Sequence, residues 1–147
     1  MNIKDKIKED LSPTRNLSGL HLKIVAAIAI IWSLFQLWYA SPFPFIFNFG
    51  MFKGLPARAI HLGFALTLVF LIYPISKGKK ISAFDILISL IGAFSCFYIY
   101  FFYDQLVDRG GVLLSILIGD SFKLPVELII GSLGILILLE ATRRAIG

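Results

Sequence analysis

The sequence predicts an all-α integral membrane protein of four transmembrane helices with both termini in the cytoplasm, and three observations carry that expectation. Hydrophobic residues make up 58% of the chain and the mean hydropathy is +0.86, too apolar for a soluble domain of 147 residues. Four apolar stretches, 21–40, 57–75, 81–103 and 125–139, are set apart by short segments rich in charge, glycine or proline. The cations lie in or beside those segments. With four spans, one side of the membrane holds Lys4, Lys6, Lys8, Arg15, Lys23, Lys77, Lys79, Lys80, Arg143 and Arg144, which is ten of the fourteen. The other side holds Lys53, Arg58, Arg109 and Lys123. Under the positive-inside rule this asymmetry places both termini in the cytoplasm, and it makes the net charge of +5 a topology signal, not the mark of a nucleic-acid partner.

Residues 1–20 form a polar leader, and 21–147 form the membrane domain. In the leader, Ile3, Ile7 and Leu11 stand at helical spacing among charges. That pattern fits a short interfacial helix on the inner leaflet and fits a frayed polar leader equally well. No cleavable signal peptide is visible, so the first span, 21–40, is expected to direct insertion. It ends at Trp38 and Tyr39, aromatic anchors suited to the outer interface. SPFPFIFNFGMFKGLP follows, with too many prolines and glycines for a continuous helix and too many phenylalanines for a solvated loop. It is expected to rest on the membrane surface or on a partner.

The second span, 57–75, runs through ARAIHLGFALTLVFLIYP and stops before the basic turn KGKK. The third, 81–103, opens on SAFD, where Ser82 and Asp85 have the spacing of a capping box. It closes on the aromatic belt FYIYFFYD. The segment DRGGVLLSILIGDSFK is too short to span and reads as outer-surface structure with a partial re-entrant turn. Pro125 and Glu127 are expected to open the fourth span in its first turn.

From Pro125 to Leu139 that span covers only about 22 Å at 1.5 Å per residue, short of about 30 Å of hydrocarbon. The helix is therefore expected to continue through EATRR, making the span about 125–144. Glu140 then lies three and four residues before Arg143 and Arg144, where it can pair with either, while the arginines snorkel to the inner headgroups. Gly147 is placed to cap the helix.

Sites of chemistry are sparse. Arg58 and His61 share a helix face near the outer start of the second span. They suit either a proton or anion site or, as no acid lies nearby in sequence, an interfacial arginine beside a hydrogen-bonded packing histidine; the second reading is preferred. His21 and His61 fall at opposite ends of the first two spans, roughly 25 Å apart, too far to share one haem iron. Asp85, Glu127 and Glu140 sit at helix ends, where capping, dipole and pairing roles suffice, so no acid lies deep in a span as an exporter would need. Cys96 is the only cysteine and is expected to pack. No catalytic triad, metal-ligand spacing or phosphate loop is present, so neither enzyme nor cofactor is expected.

Several phrases taken together resemble a known family. SPFPFIFNFG, ARAIHLGFALTLVFLIYP, SAFDILISLIGAFSCFYIYFFYDQLVDRGG and LLEATRRAIG are similar to the N-terminal part of fused membrane components of TRAP transporters, the tripartite ATP-independent periplasmic carriers, of the type served by TAXI binding proteins. RAIHLGFALTLVFLIYP and LEATRRAIG are the strongest markers. The resemblance covers most of the chain beyond about residue 20. It implies a four-helix, small-subunit-like scaffold in a bacterial or archaeal inner membrane. The implied partners are a transport region of about twelve spans and a periplasmic TAXI-type protein that delivers an organic anion for ion-driven uptake. Substrate and ion sites belong to that larger region, so no transport-site residue is carried over. A fused protein would continue past Gly147, so the reading expects an in-frame continuation or a neighbouring gene for the large region. The alternative is a stand-alone small membrane protein acting as regulator, assembly factor or redox carrier.

Overall fold

The computed structural model describes residues 14–15, 17–75, 81–110, 112–118 and 122–146. Four long helices make the bundle: α1 Gly19–Ala40, α3 Gly54–Ile72, α4 Ala83–Asp108 and α5 Val126–Ile146. One helical turn, α2 Phe43–Ile46, follows α1, and strands β1 Ser115–Ile118 and β2 Phe122–Pro125 precede α5. Helices α1, α3 and α4 are long and apolar enough to cross a membrane. At 21 residues α5 is of comparable length, about 31 Å, but it carries Glu127, Glu140, Arg143 and Arg144.

Helix α3 is the centre, because it alone packs against each of the other three long helices. Its sequence explains this. Ala57, Ala59, Gly63 and Ala65 keep its surface narrow, while Leu66, Phe70 and Leu71 supply bulk where neighbours converge. Leu66, Phe70, Cys96, Ile137 and Ala141 form the core in which α3, α4 and α5 meet, and Phe70 is wholly buried. Cys96 packs there. A second, smaller cluster sets Val25 of α1 against Leu68 and Leu71. Close approach depends on glycine at Gly92 of α4, where a Cβ would lie 2.9 Å from Ile137 Cγ2. Without aqueous solvent to drive helices together, such close backbone packing is the main cohesive term inside a bilayer.

Elsewhere the bundle is open. Only Val25 is buried in α1, and Ile30, Ile31, Leu34 and Leu37 stay exposed along it. That outer surface is apolar, as a lipid-facing helix requires.

The loop after α1 is ordered around one indole. Trp38 lies against Phe43, Phe47 and Phe49, with ring centroids 6.2–6.4 Å away. Asn48 and Gly50 both take left-handed backbone, at φ 50° and 65°. At Gly50 a side chain would be strained and would also meet Trp38 Nε1 at 2.8 Å. The phenylalanines of this loop remain exposed, among them Phe45 and Phe49.

Two sequence expectations are corrected at the next connection. The segment before α5, expected as outer-surface structure with a partial re-entrant turn, takes strand structure. It is an antiparallel β-hairpin in which Ser115 faces Pro125 and Ile118 faces Phe122. Pro125 accordingly ends a strand and does not open the helix, which starts at Val126. Paired strands satisfy their backbone groups mutually, which a bare re-entrant loop cannot do. The ends of the other helices also differ by a few residues from the sequence boundaries: α1 begins at Gly19, α3 at Gly54, and α4 runs on to Asp108. The leader helix with Ile3, Ile7 and Leu11, the KGKK turn and the Gly147 cap lie outside the described residues.

Candidate functional site

At one end of the bundle four separate pieces of chain bring charge together. Ser82 caps α4: its Oγ accepts from Phe84 N–H, and Asp85 accepts from Ser82 N–H in return. This capping box holds the Asp85 carboxylate at the positive end of α4. Two guanidinium groups then close on it. Arg15 donates to Asp85 Oδ2 at 2.6 Å, and Arg144 donates to Oδ1 at 2.7 Å. All three side chains are 1% exposed.

The same arginines finish the C-terminus of α3. Arg15 donates its backbone N–H to Ile72 O and Nη1 to Leu71 O, while Arg144 Nη1 reaches Tyr73 O at 3.3 Å. The last carbonyls of a helix carry partial negative charge, so two cations there are doubly favoured. Arg144 also lies over the Phe70 ring, 4.9 Å from its centroid, which ties the cluster to the apolar core.

Glu140 completes the group. It accepts from Arg143 Nε and Nη2 at 2.7 and 2.8 Å and from Arg144 Nε at 2.8 Å. The helix spacing of three and four residues makes both contacts possible. One part of the sequence reading is corrected here. Arg143 is exposed and paired with Glu140, whereas Arg144 does not snorkel, because it points inward to Asp85. Asp85, expected only as a cap, is the centre of the cluster. Its two oxygens are both engaged. Arg15 Nε and Arg144 Nη2 are buried with no partner among the described residues, so donors outnumber acceptors. A carboxylate so occupied is a poor base or ion ligand and a good clamp.

The opposite end holds looser charge. Arg109, just after α4, pairs with Glu127 in the first turn of α5 at 2.6 Å, and Glu127 also accepts from Leu114 N–H. These contacts fasten the hairpin. Lys53 pairs with Asp104, and both side chains are largely exposed. That carboxylate raises the Lys53 ammonium above the ordinary lysine range.

Arg58 and His61 line a groove of about 420 Å³ between α1 and α3, with Phe35, Gln36 and Tyr39 on the facing helix. His61 Nδ1 faces Gln36 Nε2 at 2.7 Å and Trp32 Nε1 at 3.4 Å. The structure therefore gives His61 packing and hydrogen-bonding partners and gives Arg58 none among the described residues.

Deeper in the spans, Ser89 is buried in α4 with no hydrogen-bonding partner among the described residues, and three other hydroxyls bond their own helices. Ser33, Thr67 and Ser95 each donate to the carbonyl one turn back, at Ala29, Gly63 and Ile91. Among the described residues no three His, Cys, Asp or Glu side chains gather as a metal site would need. Compared with family models, curated proteins and solved structures, the chain matches none of them.

Proposed function

We propose that the chain is the small scaffold module of a TRAP-type secondary transporter, a four-span bracing unit for a larger region that carries the moving site. One observation carries the reading. Three of the segments that carry the resemblance, LIYP at the end of α3, SAFD at the start of α4 and LEATRRAI in α5, meet around Asp85 and Arg144. A buried ion pair contributes little net stability over an apolar contact, but it fixes one arrangement of helices, which suits a brace.

Transport itself needs a midplane site and an element that exposes it alternately, commonly built from broken helices and inward-facing polar groups. The long helices here are continuous, and their hydroxyls at Ser33 and Ser95 are engaged by their own backbones. On this reading α5 is the fourth span, and the end bearing Arg143 and Arg144 faces the cytoplasm of a bacterial or archaeal cell. The large region lies against the exposed apolar helices, and a TAXI-type protein delivers an organic anion from the other side. Labelling of single cysteines at Lys53 and Lys79 from opposite sides of the membrane checks that orientation.

Purified alone in liposomes, the chain is expected to give no gradient-driven uptake of an organic anion, even with a cognate binding protein. Uptake is expected once the large region is supplied. Ion-driven accumulation by the 147-residue chain alone would overturn the scaffold reading. Failure of any large region to bind would favour a small membrane protein acting by itself.

A further inference from the structure

Five arginines occur in the chain, and four of them meet a carboxylate: Arg15 and Arg144 at Asp85, Arg143 at Glu140 and Arg109 at Glu127. Arg58 is the exception. It lies four residues into α3, a helix apolar enough to span a membrane, and meets no hydrogen-bonding or ionic partner among the described residues. An arginine at that depth needs an anion or an escape to water. We propose that the α1–α3 groove binds the phosphate of a membrane phospholipid, with Arg58 as its cation and His61 as a second donor.

The depth matches. Four residues at 1.5 Å place Arg58 about 6 Å from the helix start, and seven place His61 about 10 Å in. Headgroup and interfacial layers add roughly 5–8 Å to each side of the hydrocarbon, so the guanidinium stands at the level of the phosphate and glycerol. Trp38 and Tyr39, at the end of α1, are the residue types that settle at that interface.

The tautomer matches as well. Trp32 Nε1 can only donate, so His61 Nδ1 is the acceptor of that contact. In the neutral ring the proton then sits on Nε2, which has no partner among the described residues and remains a donor. Arg58 and His61 are three residues apart on one helix face, close enough for one phosphate to meet both.

The groove also selects for a tail. About 420 Å³ is within the range of ligand pockets, and Phe35, Tyr39 and Ala57 make its remaining walls mostly apolar. Leu34 and Leu37 continue that surface outward along α1, exposed to the lipid space. A soluble phosphate would gain the guanidinium but nothing from these walls. The inference depends on the membrane character of the helices and not on the transporter reading, so the uptake assay and the experiment below fail independently.

The full chain in detergent is titrated with phosphatidylglycerol, with phosphatidylcholine and with inorganic phosphate, and bound lipid is counted by native mass spectrometry. Phosphatidylglycerol is expected to bind at one saturable site with Arg58→Gln weakening it about tenfold, the loss of one charge-assisted contact, and Arg58→Lys weakening it less. Phosphatidylcholine should bind the same site more weakly, and inorganic phosphate should not displace either. Arg143→Gln, an exposed arginine elsewhere, should leave binding unchanged. Equal binding by wild type and Arg58→Gln, or displacement by inorganic phosphate at comparable concentration, would overturn the proposal. Should Arg58→Gln fail to fold, photocrosslinking of a phospholipid probe to wild-type Phe35 or Tyr39 supports the site, and crosslinks confined to other helices overturn it.

Discussion

The two ends of this bundle solve the same problem differently. Each must hold helix termini together with charged side chains at the edge of an apolar body. At one end Arg15, Asp85 and Arg144 are packed away from solvent, and their contacts with one another and with the end of α3 join pieces far apart in sequence. At the other, Lys53 and Asp104 meet in the open, and Arg109 with Glu127 is intermediate, the glutamate buried and the arginine partly exposed. The difference teaches where the bundle is specified. A buried charge left without its partner is very costly, whereas an exposed pair is worth little, so the Asp85 end defines the helix arrangement and the aromatic end only trims it.

The largest expected effect is therefore at Asp85. Asp85→Ala leaves two buried guanidinium groups unpaired and removes the reciprocal half of the α4 cap. It should destabilise the bundle by about 3 kcal/mol, the low end for a broken buried pair because this cluster lies at a helix end near water. Thermal unfolding in a mild detergent measures it. Adding Arg15→Met and Arg144→Met to Asp85→Ala should recover much of the loss, because the unpaired charge is what costs. A triple variant no more stable than Asp85→Ala would mean that the arginines act mainly by capping α3, and the contrast between the two ends would then be one of capping, not of buried charge.

Glu127→Gln is expected to be milder, about 1 kcal/mol, since the amide can still accept from Leu114 N–H while losing the charge of Arg109. The loss should be local. Hydrogen exchange should rise in 112–118 and 122–125 while α3 and α4 stay protected. A global loss as large as that of Asp85→Ala would remove the distinction between the ends.

What could be read in the sequence follows the range of each interaction. The capping box at Ser82 and Asp85 and the pairing of Glu140 with Arg143 and Arg144 are local, fixed by helix spacing, and both appear in the structure as expected. Continuation of the last helix through EATRR follows from the length a membrane demands, and α5 does run to Ile146. The partners of Asp85 were not legible, because they lie 70 and 59 residues away and no pattern in a single chain links them. The inward turn of Arg144 is hidden for the same reason: next to Arg143 it looks equivalent, and only the rotation of α5 against α3 and α4 turns one inward. The paired strands do leave a signal in the sequence. SILI and FKLP flank Gly119, Asp120 and Ser121, a turn composition between two strand-length runs.

The smallest expected effect is at Lys53 and Asp104, where the two side chains are 63% and 73% exposed. Two long, solvated side chains lose rotamer freedom to meet, and salt screens what they gain. The pair nevertheless has a direction in pH. Asp104 holds the Lys53 ammonium above its ordinary value of 10.5. A cation favoured in the folded state contributes below that unfolded value and loses its contribution as pH rises through the folded one. Across the neutral range the pair is therefore constant, and on the alkaline side it fades as Lys53 loses its proton. Lys53→Ala should leave the unfolding temperature at pH 7 within about a degree of wild type, with any difference vanishing at high salt. A drop comparable to that of Asp85→Ala, persisting in salt, would show that the aromatic end is held as tightly as the buried one and that exposure does not rank these pairs.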